Sequence, residues 1–147
     1  MNSTIYSYLG GFFMAKWDIN KEFYYEAIFI VFAILEDRTE SLLKHAHINI
    51  IKKDNQKFSL SEKLDKIKHC ETFQDEYIQK HLTSDLIQQI YNWKNKRNML
   101  IHELINTEYC NTEIEELALE GYELIKKLNN KSTLVNKYND NILEYNK

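Results

Sequence analysis

Not one proline interrupts the 147 residues of this chain, and glycine occurs only at Gly10, Gly11 and Gly121. These two residues are the strongest helix breakers and the usual makers of tight turns. Proline lacks an amide proton, and glycine loses the most backbone entropy on ordering. A chain nearly free of both favours long helices with few sharp connections. Alternating polar–apolar strand patterns bounded by turn residues are also missing. The fold class that follows is all-α: a bundle of four to five helices in a single domain over residues 1–147, long enough to bury a sizeable core.

Apolar spacing places the helices. Asn2–Lys16 is aromatic-rich and reads as helical, weakened by its glycine pair. A long helix is expected from about Asn20 to His47, with Tyr24, Ile28, Val31, Leu35, Arg38 and Leu42 forming one stripe. Between Ala27 and Leu35 it is apolar on every side, which calls for cover on every side, from its own domain or from a second subunit. A two-fold homodimer satisfies that demand. Asn49–Phe58 is a lysine- and asparagine-rich connection. Ser59-x-x-Glu62 is a capping box that opens a helix to about Cys70. A short piece, Asp75–Leu82, precedes Thr83, the N-cap of a helix over Ser84–Asn106 with Asp85 in its first turn. Thr112-x-x-Glu115 is a second capping box, opening a last helix to about Asn129. The asparagine-rich stretch 130–147 either frays or extends it.

The net charge of −3 excludes a generally basic nucleic-acid binder, but its distribution is uneven. Lysines crowd Lys44–Lys68 and return at Lys94 and Lys96, a local basic surface able to attract RNA. Glutamates gather at Glu113, Glu115, Glu116, Glu120 and Glu123. Solvated faces of opposite sign explain the same charges. Cys70 and Cys110 have no CxxC spacing, so neither a disulfide framework nor a zinc site is expected. His45 and His47 point to different helix faces, so no metal is expected there either. Met1–Trp17 lacks a basic leader region, and the apolar run Phe23–Leu35 is too short to span a bilayer and contains Glu26. The expectation is a cytoplasmic chain without a membrane partner.

The residues with the most chemistry are Arg97 and His102, separated by Asn98-Met99-Leu100-Ile101. Arginine occurs twice, at Arg38 and Arg97, against seventeen lysines, so the planar guanidinium fork is conspicuous where it stands. That fork is a permanently charged donor for phosphate oxygens. Imidazole is the side chain whose ordinary pKa suits proton transfer near neutrality. Five residues turn a helix by about 140° from its starting direction. Arg97 therefore continues the apolar stripe Leu86, Ile90, Trp93, Leu100 and Leu104, while His102 lies on the flank with Tyr91, Asn95 and Asn98. The spacing alone is cheap, since Arg38 and His45 satisfy a looser form of it. An arginine in an apolar stripe also often packs its stem and pairs with a carboxylate, here Glu36 or Asp37.

Lys96-Arg97-Asn98-Met99-Leu100-Ile101-His102 resembles the signature of the HEPN superfamily, small all-α proteins with an R-x4–6-H motif and a polar residue after the arginine. The motif lies late in the chain, before one more helix, as in that family. The resemblance implies a metal-independent endoribonuclease without cofactors, acting at a two-fold dimer cleft to which each subunit contributes Arg97 and His102. It implies attack by the ribose 2′-hydroxyl, leaving a 2′,3′-cyclic phosphate, with His102 as general base or acid and Arg97 stabilising phosphoryl charge. Asn98 and Glu36 would support the pair, and Lys94 and Lys96 would bind RNA. A toxin or abortive-infection effector is the implied role, with an antitoxin such as a nucleotidyltransferase as partner. In one toxin subgroup that partner modifies a tyrosine two places after the motif histidine. Leu104 stands there in this chain, which argues against that mode of neutralisation. Two readings compete: a non-catalytic HEPN-like module that binds RNA or protein, and a structural dimeric helical bundle in which the motif is coincidental.

Overall fold

The computed structural model describes residues 21–103 and 111–147. Among them are five α-helices: α1 (Lys21–His45), α2 (Leu60–His69), α3 (Glu76–His81), α4 (Ser84–Glu103) and α5 (Asn111–Tyr145). A 3-10 turn, Glu71–Gln74, joins α2 to α3. The expected segment at Asn2–Lys16, together with Leu104 and Cys110, lies outside the described residues.

Two long helices, α1 and α5, pack along each other and form the spine, with α2 and α4 laid against them. The expected stripe on α1 is inside: Tyr24, Ile28, Val31, Leu35 and Leu42 are buried, while Arg38 is half-buried. The demand for cover on every side is not met by the described residues. Phe29 is 51% exposed and Ala33 also faces outward.

Local signals explain most helix starts. Ser59 and Glu62 form the expected capping box, each side chain taking up the other's backbone amide. Thr83 Oγ1 accepts from the Leu86 amide at 3.1 Å, capping α4 as its sequence position suggests. Asp75 caps the six-residue α3 through the Tyr77 and Ile78 amides. Thr112 departs from expectation. The chain is already helical at Asn111, so Thr112 sits inside the first turn of α5 and not at its N-cap. The connection 49–58 folds back on itself through an antiparallel bridge between Ile51 and Lys57, with Asn55 at φ 64° in its turn.

Of the two outcomes left open for residues 130–147, the structure shows extension of α5. It runs 35 residues, about 52 Å at 1.5 Å per residue, well past Asn129. The asparagine-rich stretch holds because it is packed. Val135 is fully buried, Ser132, Asn136 and Asn139 are buried as well, and Asn136 Nδ2 donates to Ser41 Oγ on α1.

A single carboxylate ties α1 to the loop and to α2. Glu40 lies 2.7 Å from Lys44, 3.4 Å from Lys57 and 3.3 Å from Lys63, whose side chain is only 4% exposed. Hydrogen bonding from Lys44 leads, with Lys63 adding to it, in drawing the Glu40 carboxyl down from 4.5 to about 2. Because the folded-state value is depressed, its stabilisation is full above about pH 4.5 and fades as pH falls toward 2. Glu40→Gln is expected to lower stability near neutral pH by about 1–3 kcal/mol, since buried Lys63 loses its counter-charge. Denaturant titrations at pH 7 and pH 3 check this, and the variant's deficit should shrink at the lower pH.

Candidate functional site

Arg97 and His102 both lie on the last turns of α4, and the structure does not bring them together within one chain. Leu86, Ile90, Trp93 and Leu100 are buried, so the α4 stripe is the core face. Arg97 stands in the middle of that face yet is half-buried, six residues before the end of α4. His102 is exposed on the other flank, as a 140° offset requires. No hydrogen bond joins His102 to Asn98 or to Arg97 among the described residues.

The setting of Arg97 is unusual for a half-buried arginine. Its guanidinium carbon lies 4.0 Å from the centre of the Phe32 ring and 5.5 Å from that of Phe29, both on α1. Such cation–π contacts contribute roughly 0.5–2 kcal/mol each, more where water is excluded. Nη1 donates to Asn98 Oδ1 at 3.2 Å, so Asn98 steadies the arginine and not the histidine. Nε is buried and has no acceptor. No carboxylate forms an ion pair with Arg97 among the described residues. Asp37, one of the two carboxylates considered from sequence, bonds instead to Arg38 at 2.6 Å. Burial pushes the Arg97 pKa down, and the nearby charge of Glu36 partly offsets this. Glu36 thus acts on Arg97 through space, from the α1 face that also carries Phe29 and Phe32. A guanidinium stays charged in any such site.

The lysines sort differently from their sequence positions. Lys94 is 7% exposed. Its ammonium donates to Ser61 Oγ on α2 and lies 4.2 Å from the centre of the Tyr91 ring. It holds α2 to α4 and does not join an RNA-binding surface, which corrects that expectation. Lys96 is on the surface, but both oxygens of Glu120 take its ammonium at 3.1 Å. Beside it, a cleft of about 330 Å³ between α4 and α5 is lined by Lys96, Met99, Leu100 and three glutamates, Glu113, Glu116 and Glu120. Apart from Lys96, the charged lining of that cleft is acidic. Among the midchain lysines, Lys44, Lys57 and Lys63 share Glu40, and Lys52 pairs with Glu62 at 2.7 Å.

Among the described residues no group of three or more histidine, cysteine or acidic side chains is placed to hold a metal ion. His45 pairs with Asp140 at 2.7 Å. Cys70 is half-buried with a free thiol. No described helix is long and apolar enough to cross a membrane.

Sequence reasoning missed Phe32 as the platform for Arg97. The signal was available in the triplet Phe29, Phe32 and Glu36, which share one α1 face at helical spacing, but it was hidden in a run that reads as uniform core. No family model, no curated protein and no solved structure matches this chain.

Proposed function

We propose that the chain is a metal-independent endoribonuclease of HEPN type, working as a two-fold homodimer. One observation supports this most: among the described residues Arg97 has no carboxylate ion-pair partner, its Nε is buried without an acceptor, and its guanidinium lies on the Phe32 ring. An arginine recruited for structure finds a carboxylate. One held for phosphate keeps its fork free and fixed in place. The exposed apolar face beside it, Phe29 and Ala33, supplies a surface for a second copy, which also brings a second Arg97 and His102.

In the proposed reaction the 2′-oxygen bonds to phosphorus while the bond from phosphorus to the 5′-oxygen breaks. At each of the two sites, His102 of one copy accepts the 2′-hydroxyl proton and the departing 5′-oxygen takes its proton from water. Arg97 stabilises the added charge on the non-bridging oxygens. Asn98 and Glu36 position Arg97, and Lys96 meets the flanking strand once RNA displaces Glu120. The role that goes with this chemistry is a cytoplasmic toxin or abortive-infection effector held in check by an antitoxin, with Leu104 arguing against tyrosine modification as the means.

The structural-bundle reading draws on a specific observation too: His102 stands on the opposite flank from Arg97, and the nearest cleft is acidic. Incubating purified protein with RNA in EDTA separates the readings. The proposal expects fragments ending in 2′,3′-cyclic phosphate and 5′-hydroxyl groups. RNA that stays intact contradicts it. Salt-sensitive binding without cutting assigns the chain to the non-catalytic module instead, and neither binding nor cutting assigns it to the structural bundle.

A further inference from the structure

One flank of α5 carries an ordered stripe. Glu113, Glu116, Glu120, Lys127, Lys131 and Leu134 follow one another at steps of three, four, seven, four and three residues. At about 100° per residue the six positions fall within about 60° of one another, so they form one line along the helix. Lys131 is half-buried and the other five are exposed. Glutamates occupy one half of the line, and two lysines and a leucine the other. Little of this charge is used inside the chain. Glu120 meets Lys96, but among the described residues no ion pair engages Glu113, Glu116, Lys127 or Lys131.

The glutamates border the cleft between α4 and α5, whose apolar lining is Met99, Leu100 and Leu117. Met99 is 59% exposed and Leu134 43% exposed. Large apolar side chains left bare along a charged line mark a contact surface.

The step pattern reads the same in both directions, with its centre between Glu123 and Leu124. A second α5 laid antiparallel about a two-fold axis at that centre meets the first in register. Glu120 then faces Lys127, Glu116 faces Lys131, and Glu113, beside Met99, faces Leu134. A two-fold contact repeats every interaction, which gives four ion pairs over about 32 Å of helix. Met99 and Leu134 cover each other at both ends. Glu123, next to the axis, is already held by Lys126 at 2.8 Å, so the centre carries little repulsion. A parallel arrangement sets glutamate against glutamate and lysine against lysine, a like-charge cost that fixes the direction.

We propose that this groove seats α5 of a second copy of the chain, antiparallel to the first. A lone surface ion pair contributes little, but four in register beside an apolar contact select the partner. Lys127 of the second copy also competes with Lys96 for Glu120. The groove lies between α4 and α5, whereas Phe29 and Phe32 lie on α1, so this contact is separate from the face of the proposed catalytic dimer and stands without it.

Sedimentation velocity on the full chain tests the proposal with two charge-reversed variants. Glu116→Lys with Glu120→Lys sets cation against cation across the axis, and Lys127→Glu with Lys131→Glu sets anion against anion. Each should sediment at half the mass of the unaltered chain and self-associate at least about tenfold more weakly, with its helical circular dichroism unchanged. Mixed in equal amounts, the two should recover the full mass, because every reversed pair is complementary again. Leu134→Ser should weaken the association too, as should added salt. The proposal is overturned if the unaltered chain sediments as a monomer, if either variant keeps its mass, or if the mixture is no heavier than its components. A monomer that instead takes a helical lysine–leucine peptide in the groove also overturns it, and assigns the groove to a different protein.

Discussion

Replacing Trp93 with alanine is expected to lower stability by about 3–5 kcal/mol, the range for truncating a buried aromatic side chain. For a chain of this size that is a fall in melting temperature on the order of 10 °C or more. Trp93 is fully buried at the point where α1, α4 and α5 meet. Its Nε1 donates to the Leu117 carbonyl at 2.8 Å, so truncation removes a hydrogen bond as well as ring volume. Gly121 completes the junction. A Cβ built there would come within 2.7 Å of Val31 Cγ1 and 2.8 Å of Trp93 Cε2 and Cζ2, closer than real Cβ atoms approach. Gly121→Ala should therefore cost about 1–3 kcal/mol by overpacking. In a Trp93→Phe background the smaller ring vacates the clashing atoms, and the alanine penalty should shrink. Additive costs in that double-mutant cycle would show that the two residues do not share the junction.

Gly121 shows what was legible in the sequence and what was not. Its rarity in a nearly glycine-free chain marked the class as helical, and the apolar stripes around it predicted α1 and α4 closely. Ser59 and Thr83 announced their helices because capping is local chemistry, decided within four residues. The extent of α5 was not local. Its asparagines are poor helix formers, and the helix persists because Ser132, Val135 and Asn136 are buried in the bundle, a contact nothing near them in sequence predicts. Thr112 failed because a capping box is a common pattern that the neighbouring helix can overrun. Lys94 failed for a different reason. A lysine in a charged triplet reads as surface, yet its stem crosses apolar ground to reach Ser61. The Arg97–His102 offset was read correctly as a divergence, whereas the aromatic platform under Arg97 needed the fold.

The second large effect belongs to the ribonuclease activity proposed above. His102→Ala is expected to reduce RNA cleavage by about 10²–10⁴-fold, the contribution of a positioned acid or base. Because His102 is exposed, the change should shift stability by less than about 0.5 kcal/mol, so lost cutting cannot be blamed on unfolding. Arg97→Ala should cost about 10²–10³-fold, as removal of one preorganised charge donor does. Arg97→Lys should rescue little, since lysine lacks the fork that meets two phosphate oxygens and the flat face that lies on Phe32. Full rescue by lysine would mean that Arg97 supplies only a charge.

The central claim is that Arg97 and His102, which stand apart on one helix, work together only across two copies. Mixing the Arg97→Ala and His102→Ala proteins, after unfolding and refolding them together, tests it most directly. If each chain lends its intact residue to the other, random pairing restores roughly a quarter of wild-type cleavage from two inactive preparations, because about half of the dimers contain one complete pair. A mixture as inactive as its components contradicts the composite site, and so does either single variant that cuts RNA as well as the unaltered chain.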